Sequence, residues 1–316
     1  MRETVGSLLA QTRPPDEILI VDNHPDAVVS SALADLPIVA VPSGRNLGYP
    51  PAVNLGAEHA RGDWLLTLNP DAQAAPDCLE RLLEAADEET AVLGAQVLLP
   101  DGTTNAGENP VHVAGLSWAG RYGEPAENGG PRDVAACSGA ALLVRRRDFE
   151  RLGAYHPGFF LYVDDTDLAW RARLAGRRVR YVPAATVTHD YEFAKGAHKW
   201  FWLERNRLFM VAANYGAPTL ALLAPLLVGV EAVVALRAWR EGWLPEKVRA
   251  WRAVLADRHE LRRWRRFVQA QRRVGDGALL AQMTGRMDTP LAESRALALA
   301  NPLLEAYRRA VVALLS

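Results

Sequence analysis

Cysteine is nearly absent: Cys78 and Cys137 are the only two in 316 residues. They make neither a disulfide framework nor a metal-ligand spacing, so a reducing cytoplasm is the simplest home. No glycine-rich loop of the Walker or GxGxxG kind is present, and no Cys/His pattern suits zinc. The opening "MRETVGSLLAQTRPPDE" carries acids and has no apolar core long enough for a signal peptide. It reads instead as an amphipathic helix on Val5, Leu8 and Leu9, ended by Pro14–Pro15. Charge of one sign is lacking too, since the net value is −1 and offers no global field for nucleic acid or acidic substrates. What remains is 49% apolar and 23% charged, an ordinary globular composition that can bury one large α/β domain plus an appendage, or two modest domains.

Strand and helix signals alternate through the first two thirds. "EILIVDN", "IVAVP", "DWLLTLNPD", "AVLGAQVLLPDG", "AACSGAALLVRR" and "RVRYVPAATVTHD" read as strands. Between several of them lie helices, one opened by Pro50–Pro51 and ended by Gly62, another over "APDCLERLLEAADEE". Residues 101–133 are rich in Gly, Pro and Asn and read as loop or hairpin. The alternation predicts an α/β fold, a mostly parallel sheet sandwiched by helices. In such sheets ligands sit off the carboxyl ends of strands, where Asp22, Asn69 and Asp71 all fall.

After residue 198 the chain changes character, which divides it into a first domain, 1–198, and a helical region, 199–316. Ala217–Leu236 is an apolar run broken by Pro225 and Glu231. A spanning helix needs about 20 residues, and Glu231 inside one is costly, so a buried helical pair or an in-plane membrane helix fits better. From Arg237 to Arg273 basic residues outnumber acids, with Trp239, Trp243, Trp251 and Trp264 interleaved. Such helices suit an anionic bilayer surface, while no nucleic-acid motif accompanies the charges.

Three short stretches carry candidate chemistry. In "LNPDA", Asn69 and Asp71 stand two apart at a strand end, so they face one way and can hold a hard cation beside a phosphate or ribose. The same tripeptide is also a routine turn. "VTHD" puts His189 just past another strand, a plausible further ligand beside Asp71. "FFLYVDDTDLAWRARLAG" gathers Asp164, Asp165 and Asp167 at the start of a helix that stops at Gly176. One acid serves as a cap and Asp167 can pair with Arg171 four residues on. The third acid, behind an aromatic run, lacks so plain a structural reason.

Taken together, "RETVGSLLAQTRPPDEILIVDN", "RNLGYPPAVNLGAEHARGDWLLTLNPDA", "CSGAALLVRRRDFERLGAYHPGFFLYVDDTDLAWRARLAG" and "PAATVTH" resemble the family-two glycosyltransferases of GT-A fold, especially the bacterial rhamnosyltransferase-like branch. The resemblance spans roughly residues 1–215. It implies a transferase that moves a sugar, with inversion, from a nucleoside-diphosphate sugar to a lipid-linked or cell-envelope glycan at the inner face of the cell membrane. It suggests dTDP-rhamnose as donor. It assigns Asp22 to the nucleobase side, Asn46 and Gly48 to the loop beside the nucleotide, and Asn69–Pro70–Asp71 to the counterpart of the family's DXD motif. Asp71 and His189 would hold Mg²⁺ or Mn²⁺, Gly139 would lie near the transferred sugar, and Asp165 would be the general base with Asp164 beside it.

Two departures accompany the resemblance. The family opens with an inner strand of the "VSVVIPTYNR" kind, whereas Met1 here already stands in the following helix, so an upstream start or a truncated chain is expected. Pro50–Pro51 stands where the family usually has small residues. Two other functions stay open: nucleotidyl transfer to a sugar phosphate, and a non-catalytic membrane-associated scaffold derived from a transferase.

Overall fold

The computed structural model describes residues 1–190, 196, 198–288 and 295–315. They fall into two compact units. The first comprises Met1–Asn109, Ala119–Ala172 and Arg177–Tyr191; the second comprises Pro110–Trp118, Arg173–Gly176 and Glu192–Ser316.

The first unit runs α1 (Arg2–Leu9), β1 (Leu19–Asp22), α2 (Val28–Ala32), β2 (Val39–Pro42), α3 (Tyr49–His59), β3 (Trp64–Leu68), β4 (Ala72–Ala74), α4 (Cys78–Glu84) and β5 (Thr90–Leu98). It continues through β6 (Thr104–Ala106), β7 (Glu108–Asn109), β8 (Arg132–Asp133), β9 (Ala136–Cys137), β10 (Ala141–Arg145), α5 (Arg146–Arg151), all but the last two residues of α6 (Asp164–Leu174), and β11 (Arg178–His189). The main sheet has the order β3-β10-β5-β11-β4, with β6 and β8 paired to β5 and β11. β1 and β2 form a separate parallel pair.

The α/β class is as the alternation predicts, but the main sheet is mixed. β11 runs parallel to β5, whereas β10 runs antiparallel to both β3 and β5, and β4 antiparallel to β11. The reason lies in the connections. Parallel neighbours need a long crossover, usually helical. The chain between β5 and β10 is the Gly/Pro/Asn-rich stretch, which carries only short strands and lets the chain return in the opposite sense.

The core lies between α4 and the sheet. Cys78, Leu79 and Leu82 on one face of α4 pack with Leu93, Ala95 and Val97 of β5 and Val182 and Val187 of β11. Each buried leucine contributes about 1.5–3 kcal/mol. Burial in this core also pushes the Cys78 thiol up to about 12, which keeps it an inert packing group.

The second unit contains α7 (His198–Asn214), α8 (Ala217–Arg240), α9 (Leu244–Ala256), α10 (Arg258–Gln271), α11 (Asp276–Ala281) and α12 (Arg295–Leu315). The apolar run is not broken at Pro225. It is one continuous 24-residue helix, so the expected buried helical pair is not what forms. A proline strips a hydrogen bond from the carbonyl four residues back. Here that residue, Ala221, is exposed, so the carbonyl is not stranded in a core. Glu231 points inward, where Arg207, Lys247 and the Trp251 indole surround it. Burial pushes its carboxyl up, but the Arg207 charge and the hydrogen bonds of Lys247, Arg207 and Trp251 outweigh that and hold it at about 2. Three of the four interleaved tryptophans are packed rather than displayed. Trp243 is buried and stacks on Trp200 at 4.6 Å, Trp251 bonds Glu231, and Trp264 lies 5.1 Å from Phe267.

Candidate active site

Three strand ends and one helix start supply the site, and a chain of hydrogen bonds ties them together. At the end of β1, the Asp22 carboxylate is buried and accepts the His24 N–H at 3.3 Å. Next to it, Asn23 bridges to the loop before α3. Its Nδ2 donates to Asn46 Oδ1 at 3.2 Å and to the Gly48 carbonyl at 3.1 Å, and its Oδ1 accepts the Leu47 N–H at 2.8 Å. Asn46 Oδ1 also accepts the Gly48 N–H at 2.9 Å.

Gly48 is where the loop meets the acidic stretch. Its φ of +85° and ψ of 174° suit glycine almost alone. A Cβ there would lie 2.3 Å from the Phe160 carbonyl oxygen. The neighbouring Tyr49 N–H donates to that same carbonyl at 2.9 Å. Gly48→Ala is therefore expected to lower stability by about 2–3 kcal/mol or more, from strain plus overlap with backbone. A chemical denaturation curve checks this; a midpoint within error of the parent protein would contradict it.

In the main sheet, β3 runs into the Asn69–Pro70–Asp71 turn, closed by the Ala72 N–H donating to the Asn69 carbonyl at 3.0 Å. Thr4 of α1 donates its hydroxyl to the Pro70 carbonyl at 2.8 Å and steadies the turn. β11 delivers His189 beside it: Nε2 lies 3.0 Å from Asp71 Oδ1 and 3.5 Å from Asn69 Nδ2. The Asn105 amide holds the His189 carbonyl at 3.1 Å. The imidazole is nearly covered, with 4% of its side chain exposed, while the Asp71 side chain is 60% exposed. So a nearly covered nitrogen sits against a carboxylate open to solution.

This pair fits a divalent ion as an edge rather than a cage. Carboxylate oxygen and imidazole nitrogen are both acceptable donors for Mn²⁺, and Mg²⁺ commonly takes one or two carboxylates with water and substrate phosphates. Among the described residues no group of three or more His, Cys, Asp or Glu could hold an ion. A bound diphosphate would have to supply ligands itself.

Between these two clusters lies the break separating β9 from β10. The Asn69 N–H donates to the Ala140 carbonyl at 2.9 Å, and the Gly139 N–H donates to Asp165 Oδ2 at 2.9 Å. The acid of α6 is thereby held one residue from the bond that anchors the Asn69 turn. Asp165 Oδ1 accepts the Thr166 N–H at 2.6 Å. At the same spot, Tyr49 reaches across to the Gly139 carbonyl at 3.3 Å. Of the three clustered acids, Asp167 is structural, buried in an ion pair with Arg171 at 2.9 Å.

The profile described as "Glycosyl transferase family 2" matches residues 1–153. The N-acetylglucosaminyl-diphospho-decaprenol L-rhamnosyltransferase of Mycobacterium tuberculosis is 32% identical over 221 residues, covering 61% of this chain and 72% of that one. The chain belongs to glycosyl transferase family 2. Its relatives place it in the rhamnosyltransferase-like branch of that family. The O-antigen biosynthesis protein RfbC of Myxococcus xanthus is 30% identical over 212 residues, 62% of this chain and 17% of that much longer one. Rhamnosyltransferase WbbL of Escherichia coli is 39% identical over a shorter 69 residues, 20% and 26% of the two chains. A solved structure of GalNAc-T7 with UDP, GalNAc and Mn²⁺ superposes with a TM-score of 0.53 at 18% identity, covering 66% of this chain and 44% of that one. That likeness speaks for the fold, the GT-A layout.

Within this glycosyltransferase, the three acids behave differently. Burial, and then the charge of Asp165, push the Asp164 carboxyl well above the carboxylate range. Burial also raises Asp165, but the N–H groups of Thr166 and Gly139 oppose it and favour its ionised form. Asp164 therefore takes a proton before Asp165 does. A carboxyl raised in the fold stabilises the protein below its unfolded pKa, and that contribution is lost as pH rises through the folded value. Asp164→Asn is accordingly expected to raise the melting temperature by a few degrees at pH 8 and by less at pH 4. Scanning calorimetry at both pH values checks this; equal effects, or a loss at pH 8, would refute the assignment.

Three features escaped the sequence. Asn23 bridges β1 to the loop before α3, and only its place after Asp22 in "VDN" hinted at an Asx contact. Tyr49 lies beside Pro50–Pro51, and nothing local marks its hydroxyl as a partner of the Gly139 carbonyl. Tyr162 and Val163 both have φ of +69°, a strained left-handed pair immediately before Asp164. No composition rule marks valine for that conformation. The Val163 carbonyl accepts the Asp167 N–H at 2.8 Å, so the strained pair sets where α6 begins and where its acids point.

Proposed function

We propose that this glycosyltransferase moves a sugar, with inversion, from a nucleoside-diphosphate sugar to a glycan carried on a polyprenyl diphosphate at the inner face of the cell membrane. The named action of the mycobacterial relative favours rhamnose as the sugar, with dTDP-rhamnose the first donor to test.

The observation that best supports this reading is a pair of hydrogen bonds, from the Asn69 N–H to the Ala140 carbonyl and from the Gly139 N–H to the Asp165 carboxylate. It sets a carboxylate and the Asp71–His189 edge on one rim. Each group then has a task that its environment suits. Asp22, Asn46 and Gly48 line the nucleoside side, and Asn69 and Gly139 flank the sugar and diphosphate. Asp71 and His189 would hold the divalent ion, which when bound neutralises charge growing on the leaving diphosphate. Asp165 accepts the acceptor hydroxyl's proton as the oxygen attacks the anomeric carbon. That attack comes from the face opposite the departing nucleotide, so the anomeric configuration inverts. Asp164, carrying a proton, limits repulsion beside the working carboxylate.

The test is product analysis with dTDP-rhamnose and a synthetic polyprenyl diphosphate N-acetylglucosamine. Release of dTDP with a rhamnosylated lipid supports the proposal. Release of pyrophosphate from a nucleoside triphosphate and a sugar phosphate would replace it with nucleotidyl transfer.

A further inference from the structure

On a helix at the surface of a water-soluble unit, exposed positions are normally polar. On α8 they are not. The exposed positions from Ala217 to Leu236 recur every three or four residues, and none bears a polar side chain. Ala221, Pro225, Val228, Val233 and Leu236 form the stripe, and Trp239, 66% exposed, ends it. Only 17% of the most apolar 18-residue stretch of this helix is buried.

α12 repeats the pattern. Leu299, Leu303 and Leu314 are all strongly exposed, Leu303 at 74%, and Arg309 is the only polar residue among the described exposed side chains. The two helices are joined where the Tyr307 hydroxyl donates to the Leu222 carbonyl. Two adjoining helices thus turn unpartnered apolar stripes outward. By contrast, α10 exposes Arg258, Arg262, Arg263 and Arg266, an ordinary solvated basic face.

We propose that the outward stripes of α8 and α12 form an in-plane docking face for an anionic lipid surface. This deepens the membrane-face reading above and rests on it. Three observations select that occupant. From His198 to the end there are 19 Lys and Arg against 10 Asp and Glu, so an anionic surface is attracted where a second copy of the same basic region is repelled. Arg240 closes the α8 stripe behind Trp239, and Arg309, paired with Glu305 at 3.2 Å yet still strongly exposed, lies within the α12 stripe; each can reach headgroup phosphates while its stem stays among apolar atoms. Lastly, α8 is long enough to span a bilayer, yet its inner side is locked to Arg207 of α7 and to Lys247 and Trp251 of α9. Spanning would carry those charges into hydrocarbon; lying flat leaves them inside the unit.

Flotation with phosphatidylglycerol/phosphatidylethanolamine vesicles, compared with phosphatidylcholine vesicles, tests the proposal on the full chain. Three proteins are compared: the parent, Val233→Glu with Leu303→Glu, and Arg240→Gln with Arg309→Gln. All the altered positions are exposed, and a dTDP-induced thermal shift reports separately that the first unit stays folded and binding. The parent is expected to float with the anionic vesicles. The glutamate pair should cut binding at least about tenfold, and the glutamine pair by about 25-fold, at roughly fivefold for each charge. A glutamate pair that floats like the parent overturns the docking face. So does a parent that fails to float while sedimenting as a dimer that the glutamates dissociate, which would make a second copy the occupant. Flotation kept with no nucleotide shift in any protein would sink the transferase reading and leave the face standing.

Discussion

Asp165→Asn is expected to lower sugar transfer by about 10²–10⁴-fold while leaving nucleotide affinity within about twofold. The amide keeps the shape of the carboxylate and an oxygen for the Gly139 N–H, now held at 2.9 Å. It loses the capacity to take a proton and, with one oxygen left, the bond that Oδ1 accepts from the Thr166 N–H at 2.6 Å. Loss of binding alongside loss of rate would mean that the substitution had disturbed the Gly139 turn rather than the chemistry. The pH profile separates the cases further. The Thr166 and Gly139 N–H groups favour the charged form of Asp165, while burial and its neighbour's charge disfavour that of Asp164. As pH falls, the rate should hold through the protonation of Asp164 and drop when Asp165 follows. Asp164→Asn should therefore leave the acid limb almost where it is, because Asp164 is already neutral when Asp165 takes its proton and the amide removes no charge beside it. Near-normal transfer by Asp165→Asn would end its candidacy as base.

Asp71→Ala carries the second large effect. A divalent ion at a developing diphosphate contributes several kcal/mol, and each 1.4 kcal/mol is tenfold in rate. A loss of about 10²–10³-fold at fixed Mn²⁺ follows. Nucleotide binding gives a readout that does not require turnover: the parent's thermal shift with dTDP should grow when Mn²⁺ is added, and that increment should vanish in Asp71→Ala. The solvent-open carboxylate, against a histidine fixed by β11, is what makes the increment specific to this residue. A variant that keeps the full Mn²⁺-dependent increment would place the ion elsewhere.

Much of this arrangement was legible in the chain because strand ends and helix starts announce themselves through turn chemistry. Asp22, Asn69 and Asp71 end apolar strand runs, and the acids of α6 begin a patterned helix stopped by Gly176 in a left-handed conformation. What the sequence hid were contacts made at long range. Nothing local says that "CSGAA" breaks into β9 and β10 so that Gly139 can meet Asp165, or that Gly48 must lack a side chain because Phe160 passes over it. The mixed sheet was hidden for the same reason: strand direction depends on how the intervening chain returns, not on strand composition. Interleaved tryptophans in a basic segment suggested a membrane-facing helix, yet Trp243 and Trp251 are packed inward. The exposed apolar surface lies instead on α8, the apolar run that the sequence already singled out, and on α12, whose exposed leucines it did not mark.

If one rim joins a proton-accepting Asp165 to an ion-holding Asp71, a sugar leaves its nucleotide only when acceptor and ion are both present. The most direct measurement is nucleoside diphosphate release from dTDP-rhamnose, with and without Mn²⁺ and with and without the polyprenyl-linked acceptor. Release should need both additions and yield one dTDP for each rhamnose found on lipid. Release that ignores the acceptor and the ion alike, with no sugar transferred, would contradict that joint requirement.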